Sequence, residues 1–339
     1  MENKKFKRFK NKELSDDQRR KRRKVRKIIF ITTGVILIAF LYFALDFFFR
    51  LRSTFAEIYE PLGEEVVDMR EEEEEELNLG EDPFTVLILG LDEGRADAMM
   101  LATINPNEDS TYLLSIARDT KVTIPGHGVT RINHSYAYGG IDLAVNTVQE
   151  FLNVPIDYHA SLDMEEFHSL INVLGGVRVY NDTVAFSLGG YDFPLGYIDL
   201  TGTAAYYYVR MRMNDPRGDF GRQERQRDVL VAMAGELAGV TVITRYQQVL
   251  DAVGESMRTN VTLDEMMTIS TNYAPALRNI THLSLRAPGR LINGMYLIPI
   301  PEEQRLEMSQ HLRQHLELEP REVELTETES IETASTEAD

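Results

Sequence analysis

Between Arg210 and Arg227 the chain carries six arginines and no lysine: Arg210, Arg212, Arg217, Arg222, Arg225 and Arg227. Asp215, Asp219, Glu224 and Asp228 lie among them. A guanidinium is a rigid fork of donors that matches phosphate oxygens two at a time, whereas an ammonium is a mobile point charge. In a chain of net charge −18, an all-arginine cluster suits a pyrophosphate or polyphosphate. The competing explanation is a solvated helix face with Arg–Glu pairs three and four residues apart. Helical period helps to separate the two. Leu230, Met233 and Leu237 make an apolar stripe, Gln226 lies four residues before Leu230, and Arg222 four before Gln226. Arg222 and Gln226 therefore belong to the buried face, near the helix N-terminus, where a guanidinium must find a partner and an anion is favoured. Arg227 points about 100° away and is expected in solvent.

A second cluster sits in Gly90-Leu91-Asp92-Glu93-Gly94-Arg95-Ala96-Asp97. Two carboxylates from one tight loop suit a hard cation such as Mg²⁺, which takes one or two carboxylates and leaves its other positions to water and substrate phosphate. Ordinary turn chemistry is the alternative. Ser115-Ile116-Ala117-Arg118-Asp119 follows a later strand and puts Arg118 beside that loop, and ligands collect at such strand ends. His311 and His315 have the i,i+4 spacing of some metal sites but no third ligand nearby, and read as an exposed final helix. His134 reads as a structural histidine, and Tyr206, Tyr207 and Tyr208 as core and pocket wall together. The absence of cysteine excludes disulfides, thiolate zinc sites and cysteine nucleophiles.

The elements that must carry these residues alternate. Phe84 to Leu91 is a continuous apolar run, as in a strand buried on both faces. Met99 to Asn105 and Thr111 to Ile116 read as the next strands, joined by the turn 106–109. Helical spacing covers Gly140 to Leu152, Met164 to Leu174, Gly202 to Val209 and Arg222 to Leu237, and Val177 to Tyr180 is a short strand. The expected fold is α/β, with a central mixed sheet covered by helices on both faces.

Topology follows from the first fifty residues. Residues 1–27 hold 14 Lys or Arg against 4 Asp or Glu, and Ile28 to Leu45 contains no charge. At about 1.5 Å per residue that apolar run spans about 27 Å, close to the hydrocarbon thickness of a bilayer. The expectation is a basic cytoplasmic arm (1–27), one transmembrane helix (28–49), an acidic extracytoplasmic stalk (50–80), a catalytic domain (81–313) and an acidic disordered tail (314–339). The stalk includes six consecutive glutamates, Glu71 to Glu76. A nucleic-acid role is not expected of so acidic an exported domain.

The ordered motifs LILGLD, RADAMML (95–101), SIARDTKVTIPGHG (115–128), RINHSYAYGG (131–140), NVLGGVRVY (172–180), YYYVRMR (206–212) and GDFGRQERQ (218–226) resemble those of the LytR-CpsA-Psr proteins of bacterial cell envelopes. The resemblance runs from about Phe84 to Leu237 and more weakly to about Pro301. It implies a phosphotransferase that takes a glycopolymer from an undecaprenyl-pyrophosphate carrier and joins it by a phosphodiester to peptidoglycan. It also implies a hydrophobic tunnel for the polyprenyl chain, for which residues 141–175 and 229–237 are candidates. By the resemblance, Asp92 and Asp97 hold Mg²⁺, and Arg118, Arg210, Arg212 and Arg222 grip the pyrophosphate, with Arg225 and Gln226 nearby. Asp119 and Asp219 orient the arginines, and Asp97 and Asp219 are both candidates for the base. A side pyrophosphatase activity follows if water replaces the acceptor. The chain departs from the family pattern in its short loop, Glu93-Gly94-Arg95-Ala96, and in Ala96, Ala98 and Ala117. The short loop leaves a second class open, a non-catalytic polyprenyl-phosphate-binding or regulatory module of the transcriptional-attenuator kind.

Overall fold

The computed structural model describes residues 16–72, 77–212, 215–237 and 240–320. The chain divides into two compact units, Met1–Leu51 and Arg52–Asp339. The first is built on helix α1 (Asp16–Ile58). Among the described residues this is the one helix long and apolar enough to cross a membrane. Phe30, Ile36, Ile38 and Tyr42 on it are more than 60% exposed, as side chains meant for lipid must be.

In the second unit a short helix, α2 (Met69–Glu72), precedes three strands, β1 (Phe84–Asp92), β2 (Arg95–Asn105) and β3 (Ser110–Ser115). A hairpin, β4 (Lys121–Ile124) and β5 (Gly128–Arg131), leads into α3 (His134–Leu152), β6 (Tyr158–Asp163) and α4 (Phe167–Leu174). Four short strands follow, β7 (Val177–Asn181), β8 (Phe186–Leu188), β9 (Tyr191–Phe193) and β10 (Gly196–Leu200). Then come α5 (Gly202–Arg210), α6 (Asp219–Leu237), α7 (Val240–Ser256), β11 (Met257–Thr259) and α8 (Leu263–Asn272). The chain closes with β12 (Ile280–Ser284), β13 (Arg290–Ile292), β14 (Met295–Leu297) and α9 (Glu302–His315).

The six-stranded sheet has the order β11-β6-β1-β2-β3-β12. It is mixed: β1 runs antiparallel to β2 and parallel to β6, and β3 runs parallel to β12. Because side chains alternate along a strand, the apolar runs supply two cores. Leu87, Leu89, Met99, Leu101 and Leu114 pack against Ile141, Val145, Val148 and Leu152 of α3 and Leu312 of α9. Phe84, Met100, Ala102, Ile104 and Leu113 pack on the other face with Ile269 of α8 and Leu230 of α6. This is the layered mixed sheet expected from the sequence. A third cluster joins α4, α5, α6 and α7 to β7 and β10 through Leu170, Leu174, Val179, Tyr208, Val229 and Met233. Of the tunnel candidates, residues 141–152 lie across the sheet from 229–237, whereas 167–174 pack with 229–237 in this third cluster.

Three other expectations change. The stalk is not free: Gly63 N–H donates to Asp142 (3.0 Å), Val67 N–H to Asn146 (3.0 Å), and Gln149 to the Val67 carbonyl (2.9 Å). Arg70 and Asp157 then form a buried ion pair. Residues 59–70 are thus a strap on the domain, while residues 73–76 of the acidic run lie outside the described residues. Residues 314–318, assigned to the tail, pack into it as well, with Leu316 and Leu318 in the α3 core. The remainder of the expected tail, 321–339, lies outside the described residues. His315 is buried rather than exposed, while His311 stays at the surface. His315 stacks on Tyr112 at 3.9 Å, and its two ring nitrogens meet the hydroxyls of Thr103 (2.7 Å) and Ser110 (2.8 Å).

One donor and one acceptor hydroxyl match a neutral imidazole. Burial, with His311 adding to it, pushes the His315 pKa down to about 4. The unfolded chain takes up that proton first, so stability is complete above the ordinary histidine pKa of about 6.5 and falls from there toward pH 4. The loss is about 3 kcal/mol when complete. The thermal midpoint of the detergent-solubilised chain should fall across this window, and less so for His315→Gln.

Candidate active site

The site begins at the β1–β2 hairpin. Glu93 and Gly94 both have positive φ (50° and 75°), the backbone of the two-residue turn that matches strand twist. Gly94 meets this requirement without strain. Arg95 pairs with Asp92, which puts Asp97 on the same side of the hairpin as Asp92. The register then shifts: Leu91 opposes Ala96, but Gly90 opposes Ala98, so Asp97 is an extra residue at a bulge. The bulge lets Ala96, Met99 and Leu101 all enter the α3 core while both aspartates stay at the other side. The two carboxylates repel each other. Burial raises the Asp92 pKa, Arg210 opposes this, and Asp97 adds to it.

Arg118 follows β3 on a segment clamped from both sides. Ile298 N–H donates to the Asp119 carbonyl (2.8 Å), and Asn133 N–H to the Arg118 carbonyl (3.2 Å). The Arg118 guanidinium bonds Asp97 at 2.7 Å. Asp119, buried, lies 3.9 Å from Arg118 and 3.5 Å from Arg131. Arg210 ends α5, where a cation complements the helix dipole, and grips Asp92 with two nitrogens (3.1 and 3.2 Å). Tyr206, one turn earlier, bonds the same guanidinium and lies beneath it at 4.9 Å. Of the three tyrosines, only Tyr208 is full core.

Helix α6 brings the rest. Arg222 and Gln226 are both buried, as their period requires. Arg222 Nη2 lies 2.5 Å from Asp219, which also has Arg212 at 3.9 Å. Burial pulls the Arg222 pKa below the ordinary arginine value. Asp219 opposes this, while Arg118 and Arg212 push it further down. Arg222 Nε, Arg118 Nε, Arg131 Nε, Asn133 Oδ1 and Gln226 Oε1 are buried without a hydrogen-bond partner among the described residues, and Arg222 Nη2 has only its ion pair with Asp219. Such groups are costly to leave bare, and here they gather in one place.

The structure thus brings together Asp92, Asp97, Arg118, Asp119, Arg210, Arg212, Asp219, Arg222 and Gln226. It removes Arg225 from the substrate-binding set. That guanidinium is spent on Asp215 (2.5 Å), the Tyr208 carbonyl (3.2 Å) and the Met211 carbonyl (2.5 Å), fastening the end of α5 to α6. Arg227 is partly buried on Asp228 rather than free in solvent. Arg131 and Asn133, both in the RINHSYAYGG motif, join the site as well, which their spacing does not reveal. Alternation within that motif could not show which of its polar atoms would be left bare.

The all-oxygen donor set of Asp92 and Asp97 fits a hard divalent cation. No group of three or more acidic or histidine ligands occurs among the described residues, so water and phosphate would complete such a shell. His134 instead bonds Thr130 at 2.8 Å.

Residues 47–314 match the LytR_cpsA_psr family model. A relative in Halalkalibacterium halodurans, named polyisoprenyl-teichoic acid–peptidoglycan teichoic acid transferase TagU, is 40% identical over 84% of this chain and 96% of its own. The crystal structure of Bacillus subtilis TagU is 38% identical with a TM-score of 0.59, covering 72% of this chain and 99% of that one. The structure of TagT bound to LIIa-WTA is 30% identical with a TM-score of 0.62, covering 72% and 94%.

The two buried arginines of α6 should differ in degree. Arg225→Ala leaves the buried Asp215 carboxylate to Arg217 alone and breaks the tie to the end of α5, and should cost about 3 kcal/mol in urea unfolding. Arg222→Met takes the nearest cation from Asp219 but also removes an unbonded Nε, and should cost less, about 1 kcal/mol.

Proposed function

The chain belongs to the LytR-CpsA-Psr family, and we propose that it is a membrane-anchored transferase moving a teichoic-acid-type glycopolymer from a polyprenyl-pyrophosphate carrier onto peptidoglycan. The observation that carries this reading is the buried Arg222 guanidinium, held by Asp219 but bare at Nε, close enough to Arg118 and Arg212 to feel their charge. Helix α1 anchors the chain. The basic arm stays in the cytoplasm, and the domain that follows works outside.

Arg118, Arg210, Arg212 and Arg222 bind the two phosphates, and Gln226 contributes its amide. Asp119 and Asp219 hold the arginines in place. The acceptor hydroxyl oxygen attacks the phosphorus that bears the glycopolymer. The P–O bond to the polyprenyl phosphate breaks, the polyprenyl monophosphate leaves, and the hydroxyl proton passes to water. A phosphodiester to peptidoglycan remains. Phosphoryl transfer asks mainly for position and charge stabilisation, which guanidinium groups fixed before substrate arrives supply. Asp97 and Asp219, the two candidate bases, are both tied to arginines and serve as their anchors. A magnesium ion on Asp92 and Asp97 would neutralise charge on the pyrophosphate oxygens when bound. With water as acceptor the same site hydrolyses the pyrophosphate.

The test uses the full chain in detergent with a polyprenyl-pyrophosphate-linked glycan and peptidoglycan fragments. Wild type should transfer glycan, and Arg118→Ala and Arg222→Ala should each lower kcat/KM by about 100-fold or more. EDTA should stop the reaction and magnesium restore it. Full activity in both variants would refute the arginine site, and indifference to EDTA would refute the magnesium assignment alone.

A further inference from the structure

An aromatic platform stands at the edge of this site. Helix α3 is broken at Gly139 and Gly140, and Gly140 has φ 64°, a conformation that favours glycine. The break separates the turn 134–138 from the core stripe that starts at Ile141. Tyr138 therefore ends outside the core, 49% exposed. Its ring is fixed nonetheless. His127, from the tip of the β4–β5 hairpin, stacks on it at 4.7 Å and 28°, and His134 lies 5.5 Å away. His127 is itself held by a backbone bond from its N–H to the Ile124 carbonyl (2.9 Å). An exposed aromatic ring held by its neighbours presents a negative π-face to weakly positive C–H groups. The axial C–H edge of a pyranose is such a partner.

The platform is joined to the arginine site by charge. Arg118 leads to Asp119, Asp119 to Arg131, and Arg131 to His134. Between the two stands Asn133, 4% exposed. Its amide nitrogen reaches 3.5 Å toward Asp97, and its Oδ1 has no donor among the described residues. A sugar hydroxyl donating to that oxygen would sit beside Asp97 and Arg118. Both the donor polymer and the acceptor wall can offer an amino-sugar ring. The apolar cluster of α4, α5, α6 and α7 adjoins Arg210 and Arg222, on the side suited to the lipid carrier. The platform adjoins Arg118 from the Asp119–Arg131 side, which is where an attacking hydroxyl is needed.

We propose that Tyr138, stacked with His127, and Asn133 form the subsite for a pyranose ring of the peptidoglycan acceptor. This deepens the transferase reading and rests on it. The experiment uses the full chain in detergent and measures KM separately for the lipid-linked donor and for a disaccharide-peptide fragment of peptidoglycan. Binding of the same fragment without donor is followed by ligand-observed NMR. Tyr138→Ala should raise the acceptor KM about tenfold and weaken fragment binding as much, with the donor KM unchanged. Tyr138→Phe and Tyr138→Trp should restore both, because the face and not the hydroxyl is used. An unchanged acceptor KM in Tyr138→Ala overturns the proposal, and so does a rise in the donor KM alone. If wild type transfers nothing, the transferase reading fails. The NMR arm then decides the platform by itself: loss of fragment binding in Tyr138→Ala upholds it, and retention overturns it.

Discussion

Four guanidinium groups cannot be packed around one point without repelling each other, and the domain is organised around relieving that repulsion. Three carboxylates serve the four cations: Asp97 for Arg118, Asp92 for Arg210, and Asp219 for both Arg222 and Arg212. The carboxylates come from the β1–β2 hairpin and the first turn of α6, so a strand pair and a helix distant in sequence must meet. The apolar clusters on each side of the sheet hold them there. Yet the relief is incomplete, since Arg222 keeps a bare Nε in a buried place and shares Asp219 with Arg212. The fold tolerates that cost at one point and makes good the rest elsewhere, in fully bonded pairs such as Arg225 with Asp215 and Arg70 with Asp157.

The hairpin shows how little chain this needs. A two-residue turn with both φ angles positive sets Asp92 and Asp97 on one side. A single extra residue then returns β2 to the register its apolar side chains require. The short loop that departs from the family pattern is therefore a complete element, not a damaged one. Asp97 stands at the bulge, where strand geometry is free to re-aim a side chain.

Much of this was legible in the sequence, because burial leaves a period. The spacing Arg222, Gln226, Leu230 placed two polar residues on an apolar stripe, and the structure buries both. The first strand was legible as a continuous apolar run and the pair Asp92 and Asp97 by its spacing in one tight turn, while the ordered motifs supplied the roles of Arg118, Arg210, Asp119 and Asp219. What failed has a common cause. Arg225 is as buried as Arg222, but a helical period cannot tell a guanidinium aimed at a ligand from one aimed at a carbonyl. His315 looked like surface because its partners, Thr103, Ser110 and Tyr112, lie some two hundred residues earlier. The strap 59–70 looked like a stalk because its bonds run from backbone to side chains of α3, which no local pattern records.

The bond between Arg118 and Asp97, with its companion between Arg210 and Asp92, also sets up an exchange. Each arginine is occupied by the carboxylate that a cation would claim, and each carboxylate by the arginine that an anion would claim. An anion that takes the arginines releases the aspartates, and a cation that takes the aspartates releases the arginines. The two proposed ligands would thus help each other through shared partners, beyond any contact between them. Thermodynamic reciprocity would make the help equal in both directions. With its charges paired off internally, the domain would hold either one more weakly alone than both together.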